Sequence, residues 1–144
     1  MNIAFFIRPK SMVTYLYAHS SLQKGLRCLQ TSGRSALPVL SGEGKYLGTV
    51  SEGDFLWHLA KGRMDRAALR AGTVGDLLRA DGLQAVSVTT AVEELPLTAA
   101  EQTFVPVVDD AGSFIGVAER SDLLRHLVGA WKAGSGIAES SVGK

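Results

Sequence analysis

Apolar residues recur along the chain in two alternating patterns. Short apolar runs, Ala36 to Leu40 and Phe104 to Val108, each meet a glycine-containing turn and then a second apolar run. The turns are Gly42-Glu43-Gly44 and Asp109-Asp110-Ala111-Gly112, so each pair of runs predicts a β-hairpin. After each hairpin the spacing changes. Phe55, Leu56 and Leu59, and then Leu123, Leu124, Leu127 and Val128, fall at helical intervals. Upstream, Val13 to Tyr17 suits a strand, while Leu22, Leu26 and Leu29 form one face of a helix that ends near Gly33. The first unit therefore reads strand, helix, strand, strand, helix.

The same unit occurs twice. Residues 36–59 lie without a gap over 104–127, an offset of 68, with identity at eight of 24 positions. Average composition gives on the order of one or two such matches by chance. The identical pairs include Pro38/Pro106, Val39/Val107, Gly44/Gly112, Gly48/Gly116, Asp54/Asp122 and His58/His126. Leu37/Val105, Tyr46/Phe114 and Leu47/Ile115 differ in identity but keep their apolar character. A duplicated supersecondary unit follows, each copy burying its apolar face with the help of the other.

The second copy opens less clearly, with Val86-Ser87-Val88 as its strand and Ala91 to Glu101 as a helix interrupted by Pro96. The proline is tolerated if it sits in the first turn, where an amide hydrogen is dispensable. Lys61 to Gly72 is charged and alanine-rich, apolar at Met64 and Leu69, and reads as a linker with a helical turn. Residues 134–144 hold three Gly and three Ser, the composition of a flexible tail. The expected division is 1–66 for the first repeat, 67–133 for the second and 134–144 for the tail.

Composition narrows the function. With 144 residues, 46% hydrophobic and 20% charged, the chain is apolar enough for one sizeable core. A formal net charge of +1 gives no footprint for nucleic acid or an anionic membrane. Cys28 is the one cysteine, so no disulfide framework or cysteine-based zinc site can form within a chain, and a cytoplasmic home is expected. The apolar run Ile3 to Ile7 is far too short to span a membrane.

One segment carries more specific information. The hairpins lead into Gly48-Thr49-Val50-Ser51-Glu52-Gly53-Asp54 and Gly116-Val117-Ala118-Glu119-Arg120-Ser121-Asp122. With Leu37-Pro38-Val39-Leu40 and Val105-Pro106-Val107-Val108 upstream, they resemble the signature of the cystathionine-β-synthase-type (CBS) domain. Its consensus is glycine, two mostly apolar residues, Thr or Ser, two variable residues and Asp. The resemblance covers roughly 12–60 and 74–128 and is strong because the segment recurs at one spacing.

The resemblance implies an α/β (α+β) fold of two β-α-β-β-α repeats about a pseudo-twofold axis. It also implies two clefts that in many relatives accept AMP, ADP, ATP or related adenosyl compounds. Carried onto this chain, Asp54 accepts hydrogen bonds from ribose hydroxyls and Ser51 contacts sugar or phosphate. Ser35, Ala36, Leu37 and Pro38 border the base, with Thr14 or Tyr15 from the opening strand. In the second copy Thr103, Phe104, Val105 and Pro106 make the slot, with Ser87 and Asp122. Glu119 departs from the signature, standing where Ser or Thr is expected and threatening to repel phosphate, while Arg120 is newly available. Lys10, Arg34, Arg120 and Arg125 are candidates to neutralise phosphate. The cleft of Ser51 and Asp54 is therefore expected to dominate.

Plainer roles compete with these. Ser51 and Asp54 also form the N-cap and N3 pair that a helix needs on its own account. His58 and His126 lack an acidic or cysteine cluster at ligand spacing and read as packing or surface residues, not a metal pair. No nucleophile–base arrangement is visible, so no enzymatic activity and no obligatory cofactor are expected. The expectation is a regulatory adenine-nucleotide sensor acting on a separate effector protein or on its own assembly. The alternative is a ligand-free dimerisation or scaffold module with vestigial clefts. Leu56, Trp57, Leu59, Leu124, Leu127, Val128 and Trp131 exceed what one packed face needs, which points to a homodimer.

Overall fold

A computed structural model describes residues 1–62, 65–95 and 101–135, with side chains through residue 129. In the first repeat, β2 (Leu16–Tyr17) leads to α1 (Leu22–Ser32), the hairpin β3 (Ala36–Leu40) and β4 (Tyr46–Ser51), and α2 (Glu52–Lys61). The second repeat has β5 (Val86–Ser87), β6 (Phe104–Val108), β7 (Phe114–Glu119) and α4 (Arg120–Ser135). Before the first repeat stands β1 (Ile7–Pro9), and between the repeats α3 (Arg66–Ala71).

Local chemistry explains the helix limits. Ser21 caps α1 by accepting from the Lys24 amide at 3.1 Å, and Gly33 ends the helix in the left-handed region at φ 72°. Ser51 caps α2 through the expected box. Its hydroxyl accepts from the Asp54 amide at 3.2 Å, and the Asp54 carboxylate accepts from the Ser51 amide at 2.9 Å.

The two sheets have the orders β2-β3-β4 and β1-β7-β6-β5. Their hairpins share one register at the offset of 68, Ala36 opposite Ser51 and Phe104 opposite Glu119, with the same irregularity near the turn. Leu22, Leu29, Leu37, Val39, Val50 and Phe55 are buried in the first core. Val92, Val105, Val107, Ala118 and Leu123 are buried in the second. Each large apolar side chain so buried stabilises by about 1.5–3 kcal/mol.

The repeats meet at their hairpin tips. Lys45 bridges Ser113, the Tyr46 amide donates to the Gly112 carbonyl at 3.2 Å, and the Phe114 amide donates to the Gly44 carbonyl at 2.9 Å. Lys45 and Ser113 are equivalent positions at the offset of 68, and the two hydrogen bonds beside them are each other's counterparts, so the pseudo-twofold axis passes here. A third cluster, Leu40, Phe104, Phe114 and Val117 with Tyr15, Tyr17, Tyr46 and Leu83 against it, fills the space between the sheets.

The segment preceding each repeat packs on the other one. Ile3 is fully buried in the second core, and β1 pairs antiparallel with β7, matching Pro9 to Gly116. Reciprocally, Val74 and Leu77 are buried in the first core, and the Val74 amide donates to the Ser20 carbonyl.

Three expectations change. The opening strand is Leu16–Tyr17 instead of Val13–Tyr17, because the Val13 amide turns back to the Lys10 carbonyl in a tight turn. Ala91 onward is not an α-helix over its described part: Val92–Glu94 forms a 3-10 turn and Leu95 is extended at ψ 139°. A residue before proline is driven from the helical region, which accounts for Leu95. Pro96 itself, with 97–100, lies outside the described residues. The expected tail loses its first two residues, since Gly134 and Ser135 finish α4; the helical turn expected in the linker is α3, capped by Asp65, and Met64 and residues 136–144 lie outside the described residues.

Candidate functional site

A cleft of about 230 Å³ opens between the repeats. One wall is the start of β3, Ala36, Leu37 and Pro38, with Thr14, and the opposite wall is Phe104, Val117 and Glu119 of the second repeat. Arg8 and Arg34 also line it. A second space of about 340 Å³ adjoins it across Arg34 and Glu119, bordered by Ser35, Thr103, Arg120 and Ser121 at the start of α4. The first space sets an apolar patch of Ala36, Leu37, Pro38, Phe104 and Val117 among polar and charged groups, and it leads to a polar, cationic end, on the scale of a small-molecule site.

The ion pair between them is specific in form. Arg34 Nη2 lies 2.9 Å from Glu119 Oε1 and donates to Oε2 at 3.0 Å. Glu119 is 8% exposed, and the guanidinium sits over the Phe104 ring, 5.7 Å from its centroid. The backbone supports this placement, since the Arg34 amide donates to Ser32 Oγ at 3.1 Å, just past the end of α1. Nearby, Asp122 accepts from Arg8 Nε and Nη2 at 3.3 and 3.2 Å and from Arg125 Nη1 at 3.3 Å. Arg8, Arg34, Arg120 and Arg125 thus gather on the side of Glu119 and Asp122.

The opposite side has the reverse charge. A cleft of about 630 Å³ is bordered by Arg79, Asp81, Gln84, Glu101 and Val105. Arg79 Nε reaches Asp54 Oδ1 at 3.6 Å, while Asp54 Oδ2 is taken by the Ser51 amide and hydroxyl. Among the described residues the cleft is lined by two carboxylates, Asp81 and Glu101, and one arginine, Arg79, whose charge Asp54 already faces from beside it.

The sequence-derived residues are therefore redistributed. Thr14, Ala36, Leu37 and Pro38 line a cleft together with Phe104 and Glu119 of the other repeat, while Ala36 also lies opposite Ser51 across the hairpin. The cause is the twofold arrangement, which turns the slot of one repeat toward the signature strand of the other. Ser35, Thr103 and Arg120 border the adjoining space, and Val105 borders the opposite cleft. Tyr15 packs edge-on against Tyr17 at 5.6 Å with Lys10 5.3 Å over its ring, and a hydrogen bond with Tyr17 raises its pKa. Ser87 bonds to Thr89, and Pro106 is buried opposite Val117 within the sheet. Arg8 and Arg79 escaped the sequence reading, because their carboxylate contacts join distant segments and carry no local spacing.

His126 packs tilted against Phe6, with ring centroids 5.0 Å apart, and His58 is exposed. Among the described residues no group of three or more His, Cys, Asp or Glu side chains is placed to hold a metal ion. No described helix is long and apolar enough to cross a membrane.

The sequence model of the CBS domain matches twice, at residues 7–61 and 74–129. No curated protein matches the chain. Among solved structures, CbpB in complex with c-di-AMP is similar with a TM-score of 0.82 and 18% identity, covering 94% of this chain and 89% of that one. Listeria monocytogenes CbpB in complex with c-di-AMP gives 0.78 and 22%, covering 91% and 98%. CBSX2 in complex with AMP gives 0.68 and 24%, covering 90% and 97%. At these identities the likeness establishes the fold.

Proposed function

Because the chain belongs to the CBS domain family, we propose that it is a regulatory module that binds an adenine nucleotide between its repeats and passes the bound state to an effector protein or to its own assembly. The observation that carries this reading is the cleft of Ala36, Leu37, Pro38 and Phe104, whose polar end gathers Arg34, Arg120 and Ser121. The apolar patch suits a purine face, and the cationic end suits phosphate. Asp122 serves the ribose hydroxyls, with Arg8 and Arg125 as its present neighbours. Two structures of this fold carry c-di-AMP and one carries AMP, which supports the ligand class.

Charge decides between the clefts. The side of Asp54, Asp81 and Glu101 repels a phosphate, whereas Glu119 is offset by Arg34. The cleft bounded by Glu119 is therefore the principal site, the reverse of the order expected from the signature alone. We further propose a homodimer built on the exposed Leu56, Trp57, Leu124, Leu127 and Val128, no enzymatic activity, and a cytoplasmic location.

One observation favours a ligand-free scaffold instead: Asp54 and Asp122 are both already engaged by protein groups. Thermal unfolding with AMP, ATP or c-di-AMP separates the readings, since a ligand held only by the folded state raises the melting temperature. A concentration-dependent rise with at least one of them, and a nucleotide retained in native mass spectra, is the expected result. No rise with any of the three would overturn the proposal.

A further inference from the structure

The departure of the second signature from its consensus is Glu119, and taken alone a carboxylate there opposes an anionic ligand. Its geometry gives it a different role. Both carboxylate oxygens engage one nitrogen of Arg34, Nη2. Among the described residues Nε and Nη1 of Arg34 donate to no protein group, and the side chain is 36% exposed where it lines both spaces. A free arginine loses much rotamer freedom when it clamps a ligand. Here that freedom is already restricted, by Glu119 at one nitrogen, by the Phe104 face beneath the guanidinium and by Ser32 at the backbone. Preorganisation of this kind strengthens binding by lowering its entropic cost.

We propose that Glu119 is a positioning residue, which replaces the direct hydroxyl contact of the signature by holding Arg34 with Nε and Nη1 ready for a ligand phosphate. The inference rests on the nucleotide reading above. Glu119 itself does not touch the phosphate. It acts through Arg34, and its charge is matched by the guanidinium it holds, so the pair presents donors without a net repulsive charge.

The test is the ratio of AMP to adenosine affinity, which isolates the phosphate contribution and which a general loss of stability does not move. Wild type, Glu119→Ser and Glu119→Gln are titrated calorimetrically with both compounds at one salt concentration. The wild type should prefer AMP. Glu119→Ser, although it restores the signature residue, should lower the ratio about tenfold or more, the size of one charged hydrogen bond, with adenosine affinity unchanged. Glu119→Gln keeps one acceptor oxygen and should retain part of the preference. If Glu119→Ser does not fold, Arg34→Lys, which keeps the charge but lacks the fork, should lower the ratio similarly. An unchanged or higher ratio in Glu119→Ser or in Arg34→Lys would overturn the proposal. Equal wild-type affinity for AMP and adenosine would overturn this inference alone, whereas no binding of either would overturn the nucleotide reading and this one with it.

Discussion

Lys45 and Ser113, equivalent positions of the two repeats, face each other in an antiparallel bridge, and the pseudo-twofold axis passes between them. The side chains break the symmetry that the backbone keeps. Lys45 Nζ donates to the Ala111 carbonyl at 2.7 Å and to Ser113 Oγ at 3.4 Å, which no serine could reciprocate. The joint is small and central, while the ion pair of Arg34 and Glu119 ties the repeats together again at the cleft. A ligand that engages Arg34 therefore acts on an inter-repeat contact away from the hairpin joint.

Beside this joint, burial raises the Tyr46 pKa from 10.0 to about 12. The phenol donates to the Leu83 carbonyl at 2.8 Å and accepts from Thr49 Oγ1 at 2.8 Å. The unfolded chain loses this proton near pH 10 and the folded one near pH 12. Stability from Tyr46 is thus complete below pH 10 and lost as pH rises through 12, by about 2–3 kcal/mol. Urea unfolding between pH 9 and 12 should show the advantage of wild type over Tyr46→Phe shrinking by that order. A constant difference would contradict the burial argument.

Gly48 and Gly116 are equivalent in sequence and unequal in structure. A Cβ on Gly116, at φ 157°, would lie 2.2 Å from the Arg8 carbonyl oxygen, which the β1 pairing holds in place. A Cβ on Gly48 would meet only the Leu78 side chain, nearest at its flexible end, Cδ2, at 2.8 Å. Gly116→Ala should cost roughly 2–3 kcal/mol or more and release β1, whereas Gly48→Ala should cost less than about 1.5 kcal/mol. Denaturant midpoints of the two variants provide the comparison, with equal losses contradicting it.

Exposed apolar residues motivate the dimer. Leu56, Trp57 and Leu124 are 64%, 65% and 59% exposed, on α2 and α4. Leu59 is partly buried, and the side chain of Trp131 lies outside the described residues. Sedimentation equilibrium should give a dimer for wild type and a monomer for Trp57→Glu combined with Leu124→Glu, with the fold retained. A wild-type monomer at high concentration would contradict the proposed assembly.

The elements that the amino-acid pattern predicts well are those with local causes. Both hairpins, the capping box at Ser51 and Asp54, and the end of α1 at Gly33 follow from neighbours within a few residues. The offset of 68 predicted twin units, and the registers of the two hairpins agree with it. What escaped prediction depends on distant pairing. The docking of Ile3 and β1 on the second repeat spans most of the chain, as does Arg8 with Asp122. Glu119 read as a repulsive charge because Arg34, 85 residues away, could not be assigned to it from spacing. For the same reason spacing alone does not reveal that the residues Ala36, Leu37 and Pro38 share a cleft with Phe104 and Glu119 of the other repeat.

The central claim, that an anionic adenine nucleotide occupies the cleft bounded by Glu119, is tested most directly by one matched pair of variants. Arg34 lines that cleft and Arg79 lines the opposite one, and among the described residues each contacts one carboxylate residue, Glu119 or Asp54. Calorimetric titration of AMP into wild type, Arg34→Gln and Arg79→Gln, each confirmed as folded, compares the same chemical change on the two sides. Arg34→Gln should weaken binding about tenfold or more, and Arg79→Gln should leave the wild-type affinity nearly unchanged. A larger loss in Arg79→Gln than in Arg34→Gln would contradict the assignment and return the principal site to the side of Asp54.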